Sequence, residues 1–173
     1  AERVTNVATA SGSYDGSLRV WDATPGRELL TIPAHAGVTW DVAYSPDGSR
    51  LATASIDGAA RLWDSQTGEL LLSVPQNDNP SAGFTGLAIS PDGSYVATGG
   101  VEGGVTLWDS RTGNGIMRLD GHTNMVVGLA YSPDGTRLAS ASWDGTAIVW
   151  DLANGETVTT FRGHKPGALI TGI

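Results

Sequence analysis

The chain has 173 residues, with 24 Gly, 8 Pro and no Cys, and its 10 basic against 18 acidic residues give a formal charge of −8. That balance argues against a phosphate-backbone ligand, whose affinity comes from clustered Lys and Arg displacing counterions, and the lone Lys165 cannot supply it. Without Cys there are no disulfides, thiolate nucleophiles or thiolate metal sites, which fits a reducing cytoplasm, and no apolar run reaches the roughly 20 residues of a bilayer span.

The first stretch, "VATASGSYDGSLRVWD" at 7–22, returns as "YSPDGSRLATASIDGAARLWD" at 44–64, "ISPDGSYVATGGVEGGVTLWD" at 89–109 and "YSPDGTRLASASWDGTAIVWD" at 131–151. Trp21, Trp63, Trp108 and Trp150 therefore recur at steps of 42, 45 and 42 residues. A period of this size marks stacked supersecondary units that bury apolar faces against their neighbours. The chain lacks an initiator Met and a charged-then-apolar leader, so we expect it to begin after processing or inside a longer gene product.

The second unit is the clearest. Alternation around Val38, Val42 and Tyr44 predicts a strand, and Ser45-Pro46-Asp47-Gly48 predicts a type I turn, with Pro46 fixing φ at the first corner. "LATAS" at 51–55 reads as a second strand, Asp57-Gly58 as a two-residue hairpin turn, "ARLWD" as a third strand, and "ELLLSV", after "SQTG", as a fourth. Four short antiparallel strands make a small sheet with two faces to bury, and radial stacking of such sheets answers that need. No helical stripe persists.

The His-to-Trp-Asp unit, the SPDG turn, the S-x-DG hairpin and the closing Trp-Asp resemble WD-repeat β-propellers over essentially the whole chain. The resemblance implies an all-β propeller with four blades' worth of four-stranded sheets. It also implies a buried tetrad in each regular blade: His35, Asp57 and Trp63 with Ser55 or Thr53, and His122, Asp144 and Trp150 with Ser142 or Ser140. The third unit offers no His, carries Glu102 for the hairpin Asp, and is expected to lack the network.

The first unit starts at its second strand, while "ITGI" at 170–173 echoes "FTGL" at 84–87. We therefore expect one blade split between 1–32 and 164–173, with intact blades at 33–75, 76–119 and 120–161. His164 would then join Ser13, Asp15 and Trp21. A half ring would expose two apolar faces, so completion as an eight-bladed homodimer is expected, against a fragment of a longer propeller or a strained four-bladed monomer.

His, Ser and Asp also suggest a hydrolytic triad, but a triad occurs once and converges on a pocket, whereas these sets repeat beside a structural Trp. "GGVEGG" at 99–104 lacks the strand-to-helix setting of a phosphate loop, and the isolated Asp-Gly pairs lack calcium-loop spacing. We expect no enzyme activity, cofactor or metal. In the family, the residue before the hairpin Asp and a first-strand position face partners, which maps here to Tyr14, Ile56, Val101 and Trp143, with Trp40 and Val127. The expected function is a cytoplasmic protein-interaction scaffold; the alternatives are a sensor segment of a larger bacterial signalling protein, or a propeller enzyme or lectin.

Overall fold

The computed structural model describes residues 8–24, 26–75 and 83–163. Among these residues fifteen strands form four antiparallel sheets in strict chain order. The first holds β1 (Ala8–Gly12), β2 (Ser17–Asp22) and β3 (Arg27–Pro33); the second, β4 (Thr39–Tyr44), β5 (Arg50–Ser55), β6 (Ala59–Asp64) and β7 (Leu70–Pro75). The third holds β8 (Phe84–Ile89), β9 (Tyr95–Gly100), β10 (Val105–Asp109) and β11 (Gly115–Leu119); the fourth, β12 (Val126–Tyr131), β13 (Arg137–Ser142), β14 (Ala147–Asp151) and β15 (Thr157–Phe161).

The first sheet has three strands rather than four among the described residues, and the segment 164–173 expected to complete it lies outside them. His164 and the pairing of "ITGI" lie outside them too.

Local chemistry sets the strand ends. In Ser45-Pro46-Asp47-Gly48, the Gly48 N–H donates to Ser45 O at 2.8 Å, and Asp47 Oδ1 accepts from Ser45 Oγ at 2.6 Å and Ser49 N at 3.0 Å. Gly48 sits at φ +70°, where a β-carbon is strained, so the turn needs glycine there. The same bonds recur around Asp92 and Asp134. The Asp-Gly hairpins are longer than the two-residue form. Gly16, Gly103 and Gly145 donate to the carbonyls three residues back, of Ser13, Gly100 and Ser142, which makes the Asp or Glu the second corner of the turn.

Each sheet has a Trp-bearing front and an opposite rear, and at the three seams the rear of one sheet meets the front of the next. The rear of the first sheet (Leu18, Val20, Ile32) packs on Leu51 and Trp63 of the second. The rear of the second (Ala54, Leu62, Val74) packs on Phe84, Val96 and Trp108; the rear of the third (Val105, Leu107, Leu119) packs on Leu138, Ile148 and Trp150. Each large apolar side chain so buried stabilises by about 1.5–3 kcal/mol, so the seams between sheets are the core. Along the inner edge β1 packs on β4, β4 on β8 and β8 on β12, and no comparable packing joins β12 back to β1 among the described residues.

Candidate interaction surface

Every inner strand of the intact sheets carries a register shift at its start: Trp40 lies between the pairs Thr39↔Ser55 and Asp41↔Ala54, Thr85 and Val127 at the matching places. A bulge leaves its extra residue unpaired and bends the strand, so Trp40, Thr85 and Val127 arrive beside the hairpin turns. Backbone bonds tie these turns together: Thr39 N donates to Ser13 O at 3.0 Å, Ile56 N to Val38 O at 3.3 Å and Trp143 N to Met125 O at 2.9 Å. The result is one rim of short, braced turns.

Of the six partner-facing candidates, three stand clear of the surface, Tyr14 at 84%, Ile56 at 41% and Trp40 at 39% exposed. Val101, Val127 and Trp143 are half-buried. Trp143 nonetheless holds a buried indole Nε1 with no acceptor. An unpaired buried donor is costly, and such a group in a native fold calls for a reason.

Beneath the rim lie polar relays. In the second sheet Trp63 Nε1 donates to Thr53 Oγ1 at 2.9 Å, which lies 2.8 Å from His35 Nε2, while His35 Nδ1 lies 3.0 Å from Asp57 Oδ2. Donors and acceptors close in one order: indole N–H to hydroxyl, hydroxyl to Nε2, Nδ1–H to carboxylate. Burial holds His35 below its ordinary pKa against the pull of Asp57, which suits the neutral ring that order requires. Burial alone would raise Asp57, but the hydrogen bonds from Arg61, the Ala36 N–H and His35 outweigh it and keep it low.

The fourth sheet repeats this. Trp150 Nε1 donates to Ser140 Oγ at 2.8 Å, His122 Nε2 lies 2.8 Å from the same oxygen, and His122 Nδ1 lies 2.9 Å from Asp144 Oδ2. Asp144 falls to about 2 although burial opposes it, because Thr146 and the Thr123 N–H bond its carboxylate.

The hydroxyl in each relay is Thr53 or Ser140, not Ser55 or Ser142, and in the first sheet Trp21 Nε1 donates to Ser11 Oγ at 3.1 Å, not to Ser13. The indole reaches only the nearer of two positions on one strand face. The farther set caps hairpins: Ser55, Ser142 and Ser13 accept from the N–H of Asp57, Asp144 and Asp15.

The third sheet keeps half of the relay. Trp108 Nε1 still donates to Thr98 Oγ1 at 2.8 Å, and the Phe84 ring meets the indole edge-on at 6.4 Å and 84°. His122 meets Trp150 at 6.4 Å and 72°. An apolar ring thus takes the packing place of the imidazole without its hydrogen bonds.

Sequence reasoning missed Asp41. Its Oδ2 accepts from Leu87 N of the next sheet at 2.9 Å and its Oδ1 from Val42 N at 2.8 Å, and burial pushes it up to about 6. The signal was available: Gly86 and Gly128 fill the same place in the other units.

The fold and relays define a repeat protein of stacked, Trp-anchored antiparallel sheets. The WD domain, G-beta repeat family matches residues 3–22, 26–64, 68–109 and 113–151, and the chain belongs to the WD-repeat family. Among similar proteins, "Coronin-7" of Rattus norvegicus is 46% identical over 44 residues, 25% of this chain and 5% of that protein. "Coronin-7" of Homo sapiens is 43% identical over 44 residues with the same shares. "Superkiller complex protein 8" of Dictyostelium discoideum is 35% identical over 48 residues, 28% of this chain and 16% of that protein. The chain thus spans only a small part of these relatives. Among the described residues no helix is long and apolar enough to cross a membrane.

Proposed function

We propose that this chain is a non-catalytic protein-interaction scaffold, working in the cytoplasm, whose ring is completed by a second copy. The observation that carries the interaction reading is the rim itself: Tyr14 and Ile56 project from turns braced by backbone bonds, and Trp40 from the bulge of β4 beside them. Rigid aromatic anchors on a prepaid backbone are what a binding hot spot requires. The relative named as a protein of a complex agrees with such a role.

The His, hydroxyl and Asp sets do not support chemistry. Ser140 is fully buried, and its oxygen is held by both Trp150 and His122, so no substrate atom can approach it. Two recesses open elsewhere, one of about 240 Å³ beside Trp108 and one of about 390 Å³ among the SPDG turns, and no His lines either. The acidic balance favours partners with basic patches.

The test compares wild type with Tyr14→Ser/Trp40→Ala/Ile56→Ser in cross-linked capture from the source cells. These side chains are exposed, so the variant folds with unchanged circular dichroism. Loss of the wild type's specific partners supports the reading; identical recovery by both proteins overturns it.

A further inference from the structure

The seams within the chain share one construction. On each rear face, residues of the last two strands pair in register: Leu18↔Ile32 and Val20↔Leu30, Ala60↔Val74 and Leu62↔Leu72, Val105↔Leu119 and Leu107↔Met117. The fourth sheet continues the series with Ala147↔Phe161 and Val149↔Thr159. Ile32, Val74 and Leu119 are 5%, 2% and 1% exposed, because a following sheet covers them. Phe161, at the same place, is 59% exposed.

The opposite end shows the complementary half. The turn glycine after the third strand receives the preceding rear face: a β-carbon on Gly68 would lie 3.1 Å from both Ile32 and Leu30, on Gly113 3.0 Å from Leu72, and on Gly155 3.3 Å from Met117 and 3.4 Å from Leu119. Gly26 holds the equivalent place in the first sheet, and a β-carbon there would meet nothing within 4 Å among the described residues. Trp21, whose counterparts are buried, is half-buried. Among the described residues, one front and one rear meet no further sheet, and both are of the same design as the three matched pairs.

We infer that the bare rear of the fourth sheet seats on the bare front of the first sheet of a second copy of this chain, with Phe161 over Gly26 and beside Trp21, and reciprocally. The inference rests on the assembly proposed above and names the faces, the register and the anchor. Two such contacts close a symmetric pair, the commonest oligomer, and four sheets from each copy keep the ring within the range of about four to eight blades.

The area suffices. The four strands of the fourth sheet span about 19 by 17 Å and the three described strands of the first about 14 by 17 Å. Two faces per chain give about 600 Å² in projection, of the same order as the roughly 800 Å² per partner of a stable interface. The Arg19–Glu28 ion pair, beside Trp21 on the front, would be enclosed as the Arg61–Asp57 pair already is within the chain.

The test uses the full chain. Light scattering after size exclusion should give twice the chain mass of 17.8 kDa. Phe161→Asp, at an exposed position, should keep the native circular dichroism and weaken the pair by about 30-fold or more at each contact. Gly26→Asn, a residue that tolerates positive φ, should act likewise by filling the seat. Because the chain has no Cys, Phe161→Cys and Thr24→Cys copies should cross-link with a short bismaleimide when mixed. A dimer insensitive to Phe161→Asp and Gly26→Asn overturns this inference while the assembly reading stands. A monomer at 100-fold dilution range and at high concentration alike overturns both, and so does an open polymer.

Discussion

At the scale of single residues, Asp41 makes the stability depend on pH. Its carboxyl is raised from 3.8 to about 6 by burial, so between those values the folded state holds a proton that the unfolded state releases. That contribution is complete below the unfolded value and is lost as pH rises through about 6. At neutral pH the ionised, half-buried group therefore costs at most about 3 kcal/mol. Asp41→Asn removes this dependence. Thermal melts should show the variant gaining on wild type from pH 4 to pH 7; a constant difference between the two proteins would refute the assignment. Thr53 gives a second expectation at this scale. Thr53→Val strands the Trp63 indole and His35 Nε2 and should cost about 1–3 kcal/mol in urea unfolding, whereas Ser55→Ala removes a turn cap and costs less.

At the scale of elements, the third sheet shows how an apolar contact substitutes for a relay. Phe84 is buried against Trp108, so Phe84→Ala opens a cavity and should destabilise by about 3–5 kcal/mol, more than Thr98→Val at the residual hydroxyl. Equal losses for the two would mean that the hydrogen bond, and not the ring, anchors this sheet. The strands and SPDG turns were legible because they rest on local chemistry: period-two alternation, the fixed φ of Pro46 and the positive φ of Gly48. What was not legible depends on distances across a sheet. The sequence offers Thr53 and Ser55 on one face, and only the reach of the indole chooses between them. Phe84 reads as an ordinary strand residue until its ring is placed against Trp108. The hairpins misled for a related reason: Asp-Gly suits a two-residue turn, and the bond three residues back is decided by where the flanking strands pair.

At the scale of the whole molecule, a stack of sheets draws its stability from nearest-neighbour seams, so its ends are weakest unless they meet something. If a second copy covers them, folding and association are linked, and the melting temperature must rise with chain concentration. For a dimer the gain is about 0.7 kcal/mol per chain for each tenfold increase, or about 2 °C for a chain of this size. Hydrogen exchange locates the effect. Amides of β1 and β2 at one end, and of β14 and β15 at the other, should slow as concentration rises, while those of β9 and β10 stay unchanged, being enclosed by neighbours within the chain. The chain's own sheets supply the internal standard, so protection that rises evenly across all four would indicate a different contact, and protection that never changes would indicate that the end faces stay bare.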